Sequence, residues 1–112
     1  MKHNDDGRLA EDKVADFLSQ HGYKVIDRNW KTQKCEIDIV AQRGDQISFI
    51  EVKYRSKPNH GEGFDYITNS KLRQMAFAAN YWVAQHDWEG EYLLSGASVS
   101  GIDFEIEFIE EL

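Results

Sequence analysis

The chain has 112 residues, 41% of them hydrophobic and 12% aromatic, which suits one domain with its own core, spanning 1–112, and excludes a chain disordered by composition. Cys35 is its one cysteine, so an internal disulfide is excluded and a reducing cytosol fits. The formal net charge of −7 argues against strong nonspecific attraction to a phosphate backbone.

Met1–Asp6 is polar, and no stretch approaches the ~20 apolar residues of a membrane span, so a cytoplasmic protein with no membrane contact is expected. From about Leu9 to Gln20, Ala10, Val14, Phe17 and Leu18 share one helical stripe. Gly22 is placed to end that helix. Tyr23–Ile26 then starts a sheet, and Asp27–Trp30 is a connection or a strand extension. Glu36–Val40 and Phe49–Lys53 alternate charged and apolar residues with period two, around a turn at Gly44-Asp45. They predict a β-hairpin with Ile37, Ile39, Ile50 and Val52 on one face and Glu36, Asp38, Glu51 and Lys53 on the other. Pro58–Gly63 is the clear loop, and it follows this hairpin directly. Asn69 or Ser70 can cap a second helix reaching about Gln85, with Leu72, Met75, Ala76, Ala79 and Val83 as its buried stripe. Two strands close the chain, near Tyr92–Val99 and Phe104–Ile109, with Gly96 and Gly101 as bends or a turn. The order is αβββαββ, which suits an α/β fold with a mixed sheet flanked by helices.

The hairpin carries the chemistry. A turn centred on Gly44-Asp45 sets Asp38 directly opposite Glu51, a two-residue slip makes them diagonal neighbours, and two facing carboxylates repel. Lys53 or, better, a divalent cation between them relieves that repulsion. Mg²⁺ takes one or two carboxylates together with waters and substrate phosphate, so the pair suits a metal-dependent phosphodiesterase. Lys53, on the same face, can orient the attacking water or stabilise developing negative charge. The structural alternative is a solvated face with a cross-strand Glu–Lys pair.

Glu36-Ile37-Asp38, some twelve residues, then Glu51-Val52-Lys53 resembles the active-site pattern of the PD-(D/E)xK, or restriction-endonuclease-like, superfamily. Gly7, Glu11, Ala15, Leu18, Gly22-Tyr23-Lys24-Val25-Ile26, Asn29, Phe49–Arg55 and Lys71 ahead of Ala79-Asn80-Tyr81 bring it closer still to the YraN-type family. These are predicted endonucleases related to archaeal Holliday junction resolvases. The resemblance covers roughly residues 7–112. It implies a restriction-endonuclease-like fold and Mg²⁺- or Mn²⁺-dependent hydrolysis of DNA, branched (Holliday-junction-like) or single-stranded. Asp38 and Glu51 would bind the metal, with the Val52 carbonyl as an extra ligand. Glu11 would point towards the metal, where a surface glutamate is its alternative. Resolvases cut two symmetric strands as dimers, so a homodimer is an expectation by analogy. Three residues depart from the family pattern: Cys35 where Gly is usual before Glu-Ile-Asp, and Leu93 and Ser95 where Arg and Asp are usual. They support a competing reading, a non-catalytic module of the same fold that binds nucleic acid or a protein partner.

Lys71, in the first turn of the second helix, opposes the helix dipole, which points to a task such as phosphate contact. Arg55 can grip phosphate bidentately. Each could equally be a solvated surface charge. Residues 1–56 hold ten Lys or Arg against ten Asp or Glu, so the whole negative balance comes from residues 57–112. Lys31, Lys34, Arg43, Lys53, Arg55 and Lys57 cluster around the hairpin. The four histidines have no metal-ligand spacing, no nucleotide-binding glycine loop is present, and no Ser-His-Asp arrangement follows from spacing. Trp30, Trp82 and Trp88 are scattered, and core or rim packing suits them better than base stacking.

Overall fold

A computed structural model of the chain describes residues 2–58 and 63–112, with side chains from residue 5 onward. The elements are α1 (Lys2–Gln20), β1 (Lys24–Lys31), β2 (Glu36–Arg43), β3 (Gln46–Arg55), α2 (Asn69–Gln85), β4 (Glu91–Ser100) and β5 (Glu105–Ile109). The order is the expected αβββαββ. The loop expected at 58–63 lies largely outside the described residues. The five strands form one sheet in chain order. Neighbours run antiparallel except β3 and β4, which are parallel. A parallel pair needs a crossover, and α2 provides it.

Both faces of the sheet are covered. Ala10, Val14 and Leu18 of α1 pack on Ile39, Ala41, Ile50, Ala97 and Val99. Ala78, Ala79 and Trp82 of α2 pack on Ile37, Val40, Ile47 and Phe49 on the other side. This mixed sheet between two helices is a restriction-endonuclease-like architecture. The first half of β3 is therefore buried on both faces, where its sequence pattern alone suggested a half-buried strand.

Local signals explain the element ends. Gly22 takes φ +85°, and the Tyr23 amide donates to the Leu18 carbonyl at 3.0 Å, a Schellman closure of α1. Gly44, at φ +62°, forms a two-residue turn with Asp45 between the paired residues Arg43 and Gln46. β2 and β3 then pair in the predicted register as far as Ile39 opposite Ile50.

Four details differ from expectation. α1 starts well before Leu9, because a packed helix extends over polar turns at little further cost. The α2 cap is Thr68, whose hydroxyl accepts from the Lys71 amide at 3.1 Å, and the buried stripe is Met75, Ala78, Ala79 and Trp82. Gly96 is no bend; it lies inside β4, where a Cβ would come within 3.2 Å of Phe64 and 3.3 Å of Leu112. Ile37 and Ile39, joined by strict alternation, enter opposite cores. Past Ile39, β2 pairs with β1 alone (Trp30 with Ile37, Lys31 with Glu36), and Asn29 between them takes φ +51°. The ladder opens at the position of Asp38.

Candidate active site

Where β2 parts from β3, a carboxylate replaces the ladder. Asp38 Oδ2 accepts the Val52 amide at 2.8 Å, and among the described residues its other oxygen has no partner. Continued one step, the hairpin register faces Asp38 with Glu51. Burial first, then the neighbouring Glu51 charge, push the Asp38 carboxyl up to about 7; the Val52 N–H opposes them. A carboxyl that ionises near neutrality beside a second carboxylate marks a place where added positive charge is favourable.

The cation already there is Lys71, not the expected Lys53. Lys71 Nζ lies 2.8 Å from Glu51 Oε2, with both side chains half-buried. α2 brings it there, since the Thr68 cap sets the first turn of that helix over the end of β3. Lys53 is exposed, lines the same cleft as Asp38 and has no ion pair among the described residues. Arg55 ends β3 and lines neither cleft described here; its charge opposes the upward shift of the Tyr66 phenol.

α1 supplies the opposite wall. Glu11 is half-buried, and burial raises its carboxyl, while a hydrogen bond from Asn29 and the charge of Arg28 lower it. Arg28 reaches Glu11 at 3.8 Å and holds Asp12 at 2.8 Å. Glu11 thus lines the same cleft as Asp38. Gly7, Arg8, Glu11, Asn29, Asp38, Glu51 and Lys53 line a cleft of about 550 Å³. A second cleft, of about 500 Å³, runs along α2 and is lined by Lys34, Cys35, Glu36, Lys71, Arg73 and Phe77 among others. Glu51 belongs to both.

Two contributors escaped the sequence reading. Asn29 entered only as a motif position; its left-handed backbone at mid-strand lets it support Glu11, and an Asn tolerates that conformation best of the polar residues. Tyr66 donates its hydroxyl to the Glu51 carbonyl at 3.3 Å and the Ala97 carbonyl at 3.4 Å, bracing β3 behind the carboxylates. Burial and then the Glu51 and Asp38 charges push its phenol well above the usual range. No sequence signal marks that role.

Of the departures from the family pattern, Cys35 lines the α2 cleft together with Glu51, and the other two lie away from the carboxylates. Cys35 is half-buried, needs no positive φ, and donates its amide N–H to the Thr32 hydroxyl oxygen at 3.1 Å. Ser95 is fully buried and donates to the Glu110 carbonyl at 2.6 Å, and Leu93 pairs with Ser48 at the far end of β3. Neither Leu93 nor Ser95 lines either cleft. Among the described residues, no three His, Cys, Asp or Glu side chains gather to cage a cation alone, and no helix is long and apolar enough to cross a membrane.

Residues 10–104 match the model of a family described as "Uncharacterised protein family UPF0102". A UPF0102 protein of Flavobacterium psychrophilum is 34% identical over 98% of this chain and 94% of its own length. One from Cytophaga hutchinsonii is 30% identical over 98% of this chain and 97% of its own. One from Parafrankia sp. is 41% identical over 71% of this chain and 68% of its own. The chain belongs to the UPF0102 family, the YraN-type family that its motif order resembles.

Proposed function

We propose that this domain is a metal-dependent endonuclease that hydrolyses DNA phosphodiester bonds, on branched or single-stranded DNA. One observation carries the reading: Asp38, with its carboxyl raised to about 7, stands beside Glu51 in an open cleft that also holds Lys53, which has no ion pair among the described residues. The donor set fits a hard cation that keeps waters and takes one or two carboxylates, Mg²⁺ or Mn²⁺. Asp38 through its free oxygen, Glu51 and the Val52 carbonyl would hold it. Bound there, the ion would neutralise phosphate charge and lower the pKa of a water.

The chain's own groups do the rest. Lys53 orients the attacking water and stabilises charge on the phosphate. Glu11, held by Asn29 and Arg28, assists from α1. Lys71 has to leave Glu51 when the carboxylate takes a metal, and its ammonium then becomes available to a substrate phosphate. Arg55 is a second phosphate contact. On a junction with two symmetric strands, two copies of the chain would act together.

The Glu51–Lys71 ion pair favours a second reading, because it satisfies the carboxylate without metal. That reading is a non-catalytic module binding nucleic acid or a protein partner. The deciding experiment is cleavage of labelled single-stranded, duplex, flap and four-way-junction DNA with Mn²⁺, Mg²⁺ or EDTA. Metal-dependent cutting by the wild type, lost in Asp38→Ala and Lys53→Ala, is the expected result. A folded wild type that binds DNA or a partner and cuts none of these substrates establishes the module.

A further inference from the structure

Resting on the endonuclease reading, we propose that the cleft along α2 is the path of single-stranded nucleic acid. Unpaired bases would stack on Phe77, and backbone phosphates would run along Lys34 and Arg73 towards Glu51. Base-independent single-strand binding needs a positive groove and exposed aromatic faces. This cleft has both. Lys34 and Arg73 line it, and among the described residues neither has an ion pair. The cleft also holds Glu36 and Glu51, but Glu36 pairs with Lys31 and Glu51 with Lys71, which leaves the charges of Lys34 and Arg73 to a ligand.

The aromatic face is equally specific. The buried stripe of α2 is Met75, Ala78, Ala79 and Trp82, so Phe77 is not needed for the core. Its side chain is 50% exposed on the cleft wall. One turn on, Tyr81 is 38% exposed, with its ring centroid 6.2 Å from that of Phe77. Tyr81 in turn packs against Trp30 at 5.9 Å, which fixes the row. A duplex keeps its bases stacked on each other and offers none to such a row. The class of ligand is therefore a strand with unpaired bases.

Continuity with the site comes through Glu51, the wall shared by both clefts. A strand lying on Phe77 and Arg73 would pass this side chain and present its next phosphate to Asp38 and Lys53.

The test is fluorescence anisotropy with a labelled oligothymidine of about twelve nucleotides and a duplex of equal length, in EDTA. Wild type, Phe77→Ala, Phe77→Trp and Arg73→Glu are compared, each checked for folding by circular dichroism. The expected result is preference for the single strand, weakened about tenfold in Phe77→Ala and in Arg73→Glu and kept in Phe77→Trp, with duplex binding unchanged by Phe77→Ala. Single-strand binding that ignores Phe77 and Arg73, or a wild type that binds no single strand, overturns the proposal. Cutting with Mn²⁺ separates the two readings. A wild type that cuts while Phe77→Ala binds normally keeps the nuclease and removes this path. Binding through Phe77 without any cutting keeps the path and removes the nuclease.

Discussion

The two clefts that meet at Glu51 are built from opposite chemistry. The α1 side gathers Glu11 and Asp38, both with carboxyls raised chiefly by burial. The α2 side gathers Lys34, Lys71 and Arg73 beside an exposed phenylalanine. The α1 side, which also holds Arg8 and Lys53, keeps two half-buried carboxyls at a cost; the α2 side, which also holds Glu36, offers cations and an aromatic surface. Glu51 is where they compensate, through its ion pair with Lys71. The lesson is that a net charge of −7 says little about a local surface, because the sheet separates the two sets of side chains by the helix that covers each face.

The sharpest way to break this contrast is to remove the lysine proposed to act in the acidic cleft. Lys53→Ala is expected to lower the cleavage rate with Mn²⁺ by about a hundredfold or more, with the fold intact by circular dichroism. An unchanged rate assigns Lys53 to the surface.

Next comes the cost of the Asp38 charge. Its carboxyl titrates at about 7 in the folded protein against an ordinary 3.8. Between those values the folded state holds a proton that the unfolded chain has released. The unfolded state then binds fewer protons, so this contribution to stability falls as pH rises from about 4 to about 7 and is flat beyond. Asp38→Asn removes the charge, so it is expected to stabilise the metal-free protein by on the order of 2 kcal/mol at pH 8 and hardly at all at pH 4. Urea unfolding at the two pH values reads this directly. Equal effects at both would mean that Asp38 ionises normally.

Glu11→Gln tests the α1 wall. If Glu11 supports the site from behind, single-turnover cleavage falls about tenfold while oligonucleotide affinity holds. Loss of affinity instead would place Glu11 in binding. The smallest effect is expected at the shared wall. Lys71→Met breaks a partly exposed ion pair, which costs about 1 kcal/mol in the metal-free protein. It also releases Glu51, so the thermal shift on adding Mn²⁺ becomes larger than in wild type. A smaller shift would show that Lys71 helps the site rather than competing for it.

Much of this was legible before any fold was known. The hairpin register followed from alternation and from Gly44, because only a tight turn with positive φ fits between the two strands. Asp38 and Glu51 could be paired from the sequence for the same reason, since both lie on that one hairpin. The second helix was found to within a residue at its cap. What failed was local in origin and tertiary in cause. Ile37 changes cores because β2 leaves β3 at Asp38, an opening that period-two counting cannot register. Gly96 reads as a bend but serves the close approach of Phe64 and Leu112.

By itself, then, the sequence determined the element order, the family and the spacing of the carboxylate pair with its lysine, because these are set over a few residues by periodicity and turn geometry. Tertiary structure alone decided that Lys71 rather than Lys53 neutralises Glu51, that Asn29 and Arg28 hold Glu11, and that Tyr66 braces β3 from behind. Each joins elements far apart in the chain. Such contacts depend on how α1 and α2 dock on the two faces of the sheet, and burial on those faces leaves no mark in the local pattern.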